Sequence, residues 1–588
     1  MALLSIEEIL KKYYGYDEFR QGQRQIIENI ISGKDTFGIM PTGAGKSICY
    51  QIPAIYFHDV TIVISPLISL MKDQVDTLNN LGIRSAYINS TLSTEEVNVI
   101  LHRANMGDYK MIYIAPERLE SYLFKKFLKI LTISQIAIDE VHCVSQWGHD
   151  FRASYRGIAS LIKELSPRPV ISAFTATATG IVRNDVVKLL ELKSPDIYTS
   201  SFNRGNLKLT ILKIRDKKPR IVEYLHGQGD NSGIIYASTR KEVEGIYQFL
   251  RKLDFNVVKY HGGLEDEERR INQEKFIYDD ASIMIATNAF GMGIDKSNIR
   301  FVIHYNIPKN IESYYQEAGR AGRDGENSEC ILMYDPRDIN TQQYLIDSTI
   351  FHKERVSNEY EKLQQMDNYC HSSQCLRKYI LEYFDEVVLW DSCDNCSNCL
   401  QNYDLTDITI DAKKIISCVY RMREAYGVSL IAEVLRGSKN QKLISLKLNE
   451  LSTYGIIKKH TVNEIKEIIN YLISEKYLCL TRDKFSIVKL SNKAVEFIKG
   501  NDKIYMRTDI KAIDVEVKDE LFNRLKELRR SIADKEKIPP YIILSNATLK
   551  ELSLTRPVNK EGMLAISGIG EIKFERYGEQ FIKVILDE

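Results

Sequence analysis

Between residues 30 and 200, short β-branched runs such as Val60-Thr61-Ile62-Val63-Ile64 and Lys110-Met111-Ile112-Tyr113-Ile114 alternate with amphipathic stretches such as Leu67 to Leu78. Short runs of this kind predict strands, and the helical-period segments between them predict the crossovers of a parallel α/β sheet. The rhythm restarts at Gly233-Ile234-Ile235-Tyr236-Ala237 and continues through Ser282 to Ala286 and Phe301 to Tyr305, which predicts a second α/β lobe. After residue 340 the pattern turns helical, with Leu363 to Phe384 rich in tyrosine, cysteine and charge, and it breaks at Asp391-Ser392-Cys393-Asp394-Asn395-Cys396.

Two segments, Gln401 to Asp411 and Gly500 to Lys518, carry no usable apolar period and read as linkers. Between them Ile415 to Leu435, Leu451 to Ile457 and Val462 to Ser474 read as short helices. Tyr477 to Leu480 with Phe485 to Val488 reads as a hairpin turning at Arg482-Asp483-Lys484, which completes a winged-helix pattern. Leu521 to Glu588 is helical again. There is no short-period repeat of the kind that builds solenoids.

At 588 residues the chain exceeds what one core supports, in agreement with several units. With 44% hydrophobic and 27% charged residues, and no apolar run of membrane-spanning length, the expectation is a globular protein without membrane partners. Met1-Ala2-Leu3-Leu4-Ser5-Ile6-Glu7-Glu8 lacks the basic start and apolar stretch of an export signal, so a cytoplasmic location is expected. Net charge is only +1, so any nucleic-acid surface must be a local patch. In a reducing compartment the ten cysteines are ligands or buried thiols rather than disulfides.

The chemistry begins at Met40-Pro41-Thr42-Gly43-Ala44-Gly45-Lys46-Ser47, between a strand-like run and a helical pattern. This is a P-loop: the backbone of Thr42, Gly43 and Gly45 can cradle phosphates at a helix N-terminus, Lys46 can reach the outer phosphates of ATP, and Ser47 can ligate magnesium. Met40 stands where the general pattern has glycine. Ile136-Ala137-Ile138-Asp139-Glu140-Val141-His142 is an apolar strand ending in two carboxylates, which assigns Asp139 to magnesium and Glu140 to the attacking water. Gln316-Glu317-Ala318-Gly319-Arg320-Ala321-Gly322-Arg323 places two arginines three apart in the second lobe; Arg323 is assigned as arginine finger, with Arg320 and Gln316 beside it.

Cys375, Cys393, Cys396 and Cys399 follow C-x17-C-x2-C-x2-C, a spacing that lets thiolates converge on one tetrahedral ion, with Cys370 competing for the first place. Zinc is the expected metal, an iron-sulfur cluster the alternative.

In this order the motifs resemble those of superfamily two helicases. The resemblance implies that Tyr16, Arg20 and Gln23 recognise adenine, and that Phe174-Thr175-Ala176-Thr177-Ala178 couples nucleotide state to strand binding. It makes Asn89-Ser90-Thr91, Ser65 to Gln74, Ala115 to Arg118, Tyr236 to Arg240 and Thr287 to Asp295 strand-tracking loops. Cys143-Val144-Ser145-Gln146-Trp147-Gly148-His149-Asp150-Phe151-Arg152 narrows it to the RecQ family, in which this aromatic-rich loop senses single-stranded DNA; Trp147, His149, Phe151 and Arg152 are the expected contacts, with packing under the strand as the other reading. Cys375-Leu376-Arg377-Lys378 is similar to the family's zinc segment and favours Cys375 over Cys370. Leu435-Arg436-Gly437-Ser438-Lys439-Asn440 resembles its winged-helix signature, with Arg436 and Lys439 toward duplex phosphates. Ser201-Phe202-Asn203-Arg204-Gly205-Asn206 departs from the usual SFDRPN at two places.

The expected fold class is therefore multidomain α/β: RecA-like lobes at 1–200 and 201–340, a helical zinc-binding subdomain at 341–405, a winged helix at 406–500, a linker at 501–515 and a helical HRDC domain at 516–588. The resemblance implies an ATP-dependent helicase using magnesium and zinc and moving three-prime to five-prime on single-stranded and partly duplex DNA. It would be nucleoid-associated and work beside a single-stranded-DNA-binding protein. An RNA helicase, or a DNA scaffold with a decayed motor, are the rival readings.

Overall fold

The structure is a computed structural model that describes residues 4–66, 68–291, 296–350, 353–400, 403–481, 486–509, 520–564, 566 and 568–586. The hairpin turn at Arg482-Asp483-Lys484 and the loop end Met292 to Asp295 lie outside the described residues.

Lobe 1 contains β1 (Thr36–Ile39), β2 (Val60–Ile64), β3 (Ser85–Ile88), β4 (Met111–Ile114), β5 (Ile133–Ile138), β6 (Val170–Thr175) and β7 (Asp196–Thr199). These form one sheet in the order β3-β4-β2-β5-β6-β1-β7, parallel throughout. Along β2, Ile62 and Ile64 pack into one apolar cluster and Val63 into the other, which is why the run from Ile62 to Ile64 is apolar on both faces. Lobe 2 repeats the plan with β8 (Leu207–Lys213), β9 (Ser232–Tyr236), β10 (Val257–Tyr260), β11 (Ile283–Ala286), β12 (Ile299–His304) and β13 (Ser328–Tyr334), in the order β10-β11-β9-β12-β13-β8.

The zinc-binding subdomain follows as helices Lys353–His371 and Leu376–Tyr383, and its Leu376, Ile380 and Phe384 belong to the same apolar cluster as β5 and Phe202. It is thus cored jointly with the lobes. The winged helix has its own core around Ile415, Ile431, Leu435, Ile469 and Leu472. Its hairpin pairs β15 (Leu478–Leu480) with β16 (Val488–Leu490). The helix expected at Leu451 to Ile457 is absent: a 3-10 turn at Leu448–Glu450 and further turns stand there, and Tyr454 Oη donates to the Ser438 carbonyl at 3.1 Å.

Both expected linkers need correction. β14 (Tyr403–Asp407) and β17 (Tyr505–Asp509) pair antiparallel, Tyr403 opposite Asp509 and Asp407 opposite Tyr505. Tyr-Asp-Leu-Thr-Asp and Tyr-Met-Arg-Thr-Asp carry too few apolar positions for a strand signal, yet the backbones pair, and Met506 packs on the winged-helix core. The HRDC domain, from helix Glu520–Glu536 to helix Glu579–Leu586 around Leu525, Leu549 and Phe581, touches both lobes. Tyr278 Oη donates to the Lys537 carbonyl at 2.9 Å and Arg530 pairs with Asp280 at 2.9 Å. On lobe 1 a Cβ built on Gly15 would lie 2.9 Å from the Gly570 nitrogen. Among the described residues no helix is long and apolar enough to cross a membrane.

Candidate active site

The P-loop leaves the fully buried β1 and enters helix Lys46–Tyr56. Gly43 at φ +84° and Gly45 at φ +80° take the left-handed turns that bring the backbone round to the helix N-terminus, where a side chain would be strained. Lys46 Nζ donates to the Met40 carbonyl at 3.2 Å; burial pulls its ammonium below the ordinary lysine range, while Glu140 and Asp139 oppose that shift. The expected adenine contacts surround the same loop. Gln23 is buried and its Nε2 donates to the carbonyls of Ala44 at 3.1 Å and Gly45 at 3.2 Å, while its Oε1 accepts from the Arg20 amide at 2.9 Å. Arg20 Nη1 donates to the Gly43 carbonyl, and Tyr16 is half-buried beside them. Gln23 and Arg20 therefore brace the phosphate loop directly.

β5 delivers Asp139 and Glu140 to the same cleft, Glu140 at φ 45°, a conformation that turns its carboxylate back toward His142. Burial, then the neighbouring Glu140, push Asp139 up, and its Oδ1 accepts from the Glu140 amide at 2.9 Å. Burial also acts to raise Glu140, but His142 Nδ1 at 3.3 Å, Lys46 and Arg320 outweigh it and hold that carboxyl low. The pair is thus driven apart, with Glu140 the group kept ionised. Ser47 at the helix start and Asp139 offer the hard oxygen donors that magnesium takes.

From lobe 2, Arg320 is buried beside Tyr236, with its charge felt at Glu140, and Arg323 reaches the P-loop: a Cβ on Gly43 would lie 3.6 Å from Arg323 Cγ. Thr42 Oγ1 donates to the Gly319 carbonyl at 3.1 Å, so the lobes meet at the phosphate loop itself.

Gln316 does not point at the P-loop. Its Nε2 donates to Thr177 Oγ1 at 3.3 Å and its Oε1 lies 3.2 Å from His149 Nε2. The His149 ring stacks on His142 with centroids 4.2 Å apart, and His142 Nδ1 is 2.8 Å from Thr175 Oγ1. A continuous polar chain thus runs from Glu140 through His142, Thr175, Thr177 and Gln316 to His149 in the aromatic-rich loop.

That loop is divided in its placement. Trp147 is 45% exposed, whereas His149, expected to face DNA, is 4% exposed, and burial drives its ring well below the usual histidine range. Packed against the catalytic strand, it presents no surface to a strand. Phe151 is half-buried between the guanidinium groups of Arg156 and Arg355, at 5.2 and 5.3 Å from its centroid. Arg152 pairs with Asp150 at 3.1 Å and donates to the Pro66 carbonyl at 2.9 Å. Asn89, also expected at DNA, is 1% exposed and turns the chain locally, its Oδ1 accepting from the Thr91 amide at 3.0 Å. Arg436 and Lys439 are exposed on the winged helix.

Two loop contacts were invisible in sequence: Lys362 donates to the Trp147 carbonyl at 2.8 Å and Lys309 to the His149 carbonyl at 2.8 Å, from 215 and 160 residues away. No local signal marks them.

The ligand atoms of Cys375, Cys393, Cys396 and Cys399 all lie within 4.8 Å of one another, with Cys375 and Cys396 Sγ 3.9 Å apart. Tetrahedral ligands at a zinc-sulfur distance of about 2.3 Å sit about 3.8 Å apart, so the four thiols fit zinc. Cys370 is buried outside this group.

Known families match the chain in series: DEAD/DEAH box helicase over residues 20–185, helicase conserved C-terminal domain over 216–325, RecQ zinc-binding over 336–400, RQC domain over 402–514 and HRDC domain over 518–585. The chain is 46% identical over 580 residues to the ATP-dependent DNA helicase RecQ of Bacillus subtilis (strain 168), covering 98% of each chain. It is 39% identical over 591 residues to the ATP-dependent DNA helicase RecQ of Pasteurella multocida (strain Pm70), covering 98% of this chain and 93% of that one. With every expected module matched in order and likeness of this extent, the chain belongs to the RecQ family of ATP-dependent DNA helicases.

Proposed function

We propose that this chain hydrolyses ATP in the cleft between its lobes and uses the cycle to move three-prime to five-prime along single-stranded DNA, unwinding duplex or branched DNA in repair and recombination. The observation that carries the reading is the polar chain from Glu140 to His149, because it joins the group that would activate water to the loop that exposes Trp147. A strand stacked on Trp147 would shift that loop and, through Gln316, the contact between the lobes.

In this reading Lys46 and the P-loop amides hold the phosphates, Glu140 orients and deprotonates the attacking water, and Arg323 meets the charge that develops on the transferred phosphate, with Arg320 beside it. Magnesium, held through Ser47 and Asp139, would neutralise phosphate charge. Zinc on the four cysteines would be structural. Arg436 and Lys439 would meet duplex phosphates. A single-stranded-DNA-binding protein on the displaced strand, and a nucleoid location in the cytoplasm, go with such work.

Lys46→Ala tests it. DNA-stimulated ATP hydrolysis and unwinding should both be abolished while DNA binding persists; unwinding left intact, or stimulation by RNA and not DNA, overturns the reading.

A further inference from the structure

Arg204 lies on the connector between β7 and β8, in the segment whose sequence departs from the family pattern on either side of it. Its Nη1 donates to the carbonyls of Thr42 at 2.7 Å, in the P-loop of lobe 1, and Gly319 at 3.3 Å, in lobe 2. Its Nη2 donates to the carbonyls of Ala321 at 3.0 Å and Gly322 at 2.8 Å, and its Nε to Asn206 Oδ1 at 3.4 Å. A guanidinium has five N–H donors, and these contacts account for all of them. Four go to backbone carbonyls, and those four belong to the phosphate loop and to the turn that carries Arg320 and Arg323.

The seat of Arg204 is itself built. Arg377, which is buried, donates to the Arg204 and Leu207 carbonyls and to Asn203 Oδ1, and Glu386 accepts from the Phe202 amide at 2.9 Å. Phe202 stacks on Phe384 with centroids 4.4 Å apart. Asn206 Nδ2 completes the grip by donating to the Gly322 and Glu326 carbonyls, each at 2.9 Å. Arg204 is thus fixed from below by the zinc-binding subdomain and fixes, above it, the loop that brings Arg323 over Gly43.

We propose that Arg204 is a positioning residue of ATP hydrolysis: its forked guanidinium pins the Gly319–Arg323 turn to the P-loop, and it acts through Arg323 without touching the nucleotide. The inference rests on the reading of this cleft as the ATPase site. Lysine cannot substitute, since donors radiating from one nitrogen cannot span four carbonyls in two loops.

The experiment is a double-mutant cycle on the full chain, measuring DNA-stimulated ATP turnover and ADP affinity. Arg204→Ala should lower kcat by roughly 100-fold, the scale of a misplaced catalytic group, and leave ADP affinity within about twofold. Arg204→Lys, which keeps the charge and the aliphatic stem, should stay low, and it carries the test if the alanine variant fails to fold. In an Arg323→Ala background, Arg204→Ala should change turnover by no more than about twofold. Recovery of turnover by Arg204→Lys, or a double variant as slow as the product of the single effects, overturns the proposal. Should Arg323→Ala alone leave turnover intact, the assignment of the finger fails as well; should only Arg204→Ala leave it intact, the positioning role alone fails.

Discussion

Replacing Gln316 with alanine would cut the polar chain between Thr177 and His149. Both bonds of this side chain are near-ordinary in length, 3.3 Å to Thr177 Oγ1 and 3.2 Å to His149 Nε2, and both partners are buried. A neutral hydrogen bond contributes about 0.5–1.5 kcal/mol net, so the loss is roughly 1–3 kcal/mol of contact between lobe 2 and the elements that carry the catalytic strand. At about 1.4 kcal/mol per factor of ten, turnover of the DNA-bound enzyme should fall by roughly 5- to 150-fold. Neither bond touches the P-loop, so affinity for ADP should stay within about twofold, the scatter between uncoupled sites. Steady-state ATP hydrolysis across a titration of single-stranded DNA, paired with equilibrium binding of a fluorescent ADP, separates the two quantities. Turnover equal to that of the unaltered chain would refute the reasoning, as would a loss of ADP affinity as large as the loss of turnover.

A proton balance sits where the winged helix meets the zinc-binding subdomain. Burial, with Lys213 nearby, drives His371 down to about 3, while burial pushes Asp367, which accepts from Tyr334 Oη at 2.8 Å, up to about 6. As pH falls below the unfolded histidine value of about 6.5, only the unfolded chain takes up a proton at His371, which destabilises the fold; between about 6 and 4 the folded chain alone takes one up at Asp367, which offsets it. Asp367→Asn removes the offset, so urea melts should show stability falling by about 1.4 kcal/mol per pH unit more steeply than in the unaltered chain between those values. Parallel pH profiles would rule the balance out. For the metal, Cys375→Ser should lose zinc, read by elemental analysis of the purified chain, while Cys370→Ser should keep it; retention by the first or loss by the second would reassign the ligand set.

Much of the motor was legible because its residues act close to where they stand in the sequence. The P-loop, the carboxylate pair and the cysteines announce themselves by spacing along one strand end or one loop. His149 misled because the resemblance marks the whole loop as a DNA contact without separating its residues, while this one is buried by His142 and Gln316 packing on it. Gln316 was grouped with the arginines it precedes, yet its amide is bonded to Thr177 and His149. Arg204 stood in full view within a quoted segment, but its role depends on carbonyls 162 and 115 residues away, and backbone acceptors have no sequence signature. The position of the HRDC domain was illegible for the same reason: Gly15 and Gly570 meet through bare backbone.

The β14–β17 ribbon has a mechanical meaning. Because Tyr403 sits opposite Asp509, the chain enters and leaves the winged helix at neighbouring points, about 5 Å apart. The domain is thus a loop closed at its neck, and it is held a second time where Asn470 Nδ2 lies 3.3 Å from His371 Nε2 of the zinc-binding subdomain. Tension across the two ends of the neck then loads the ribbon from its open end, one pair after another. The winged helix is thereby carried on a neck whose pairs part singly, while its own core around Ile415 and Leu472 is a separate cluster.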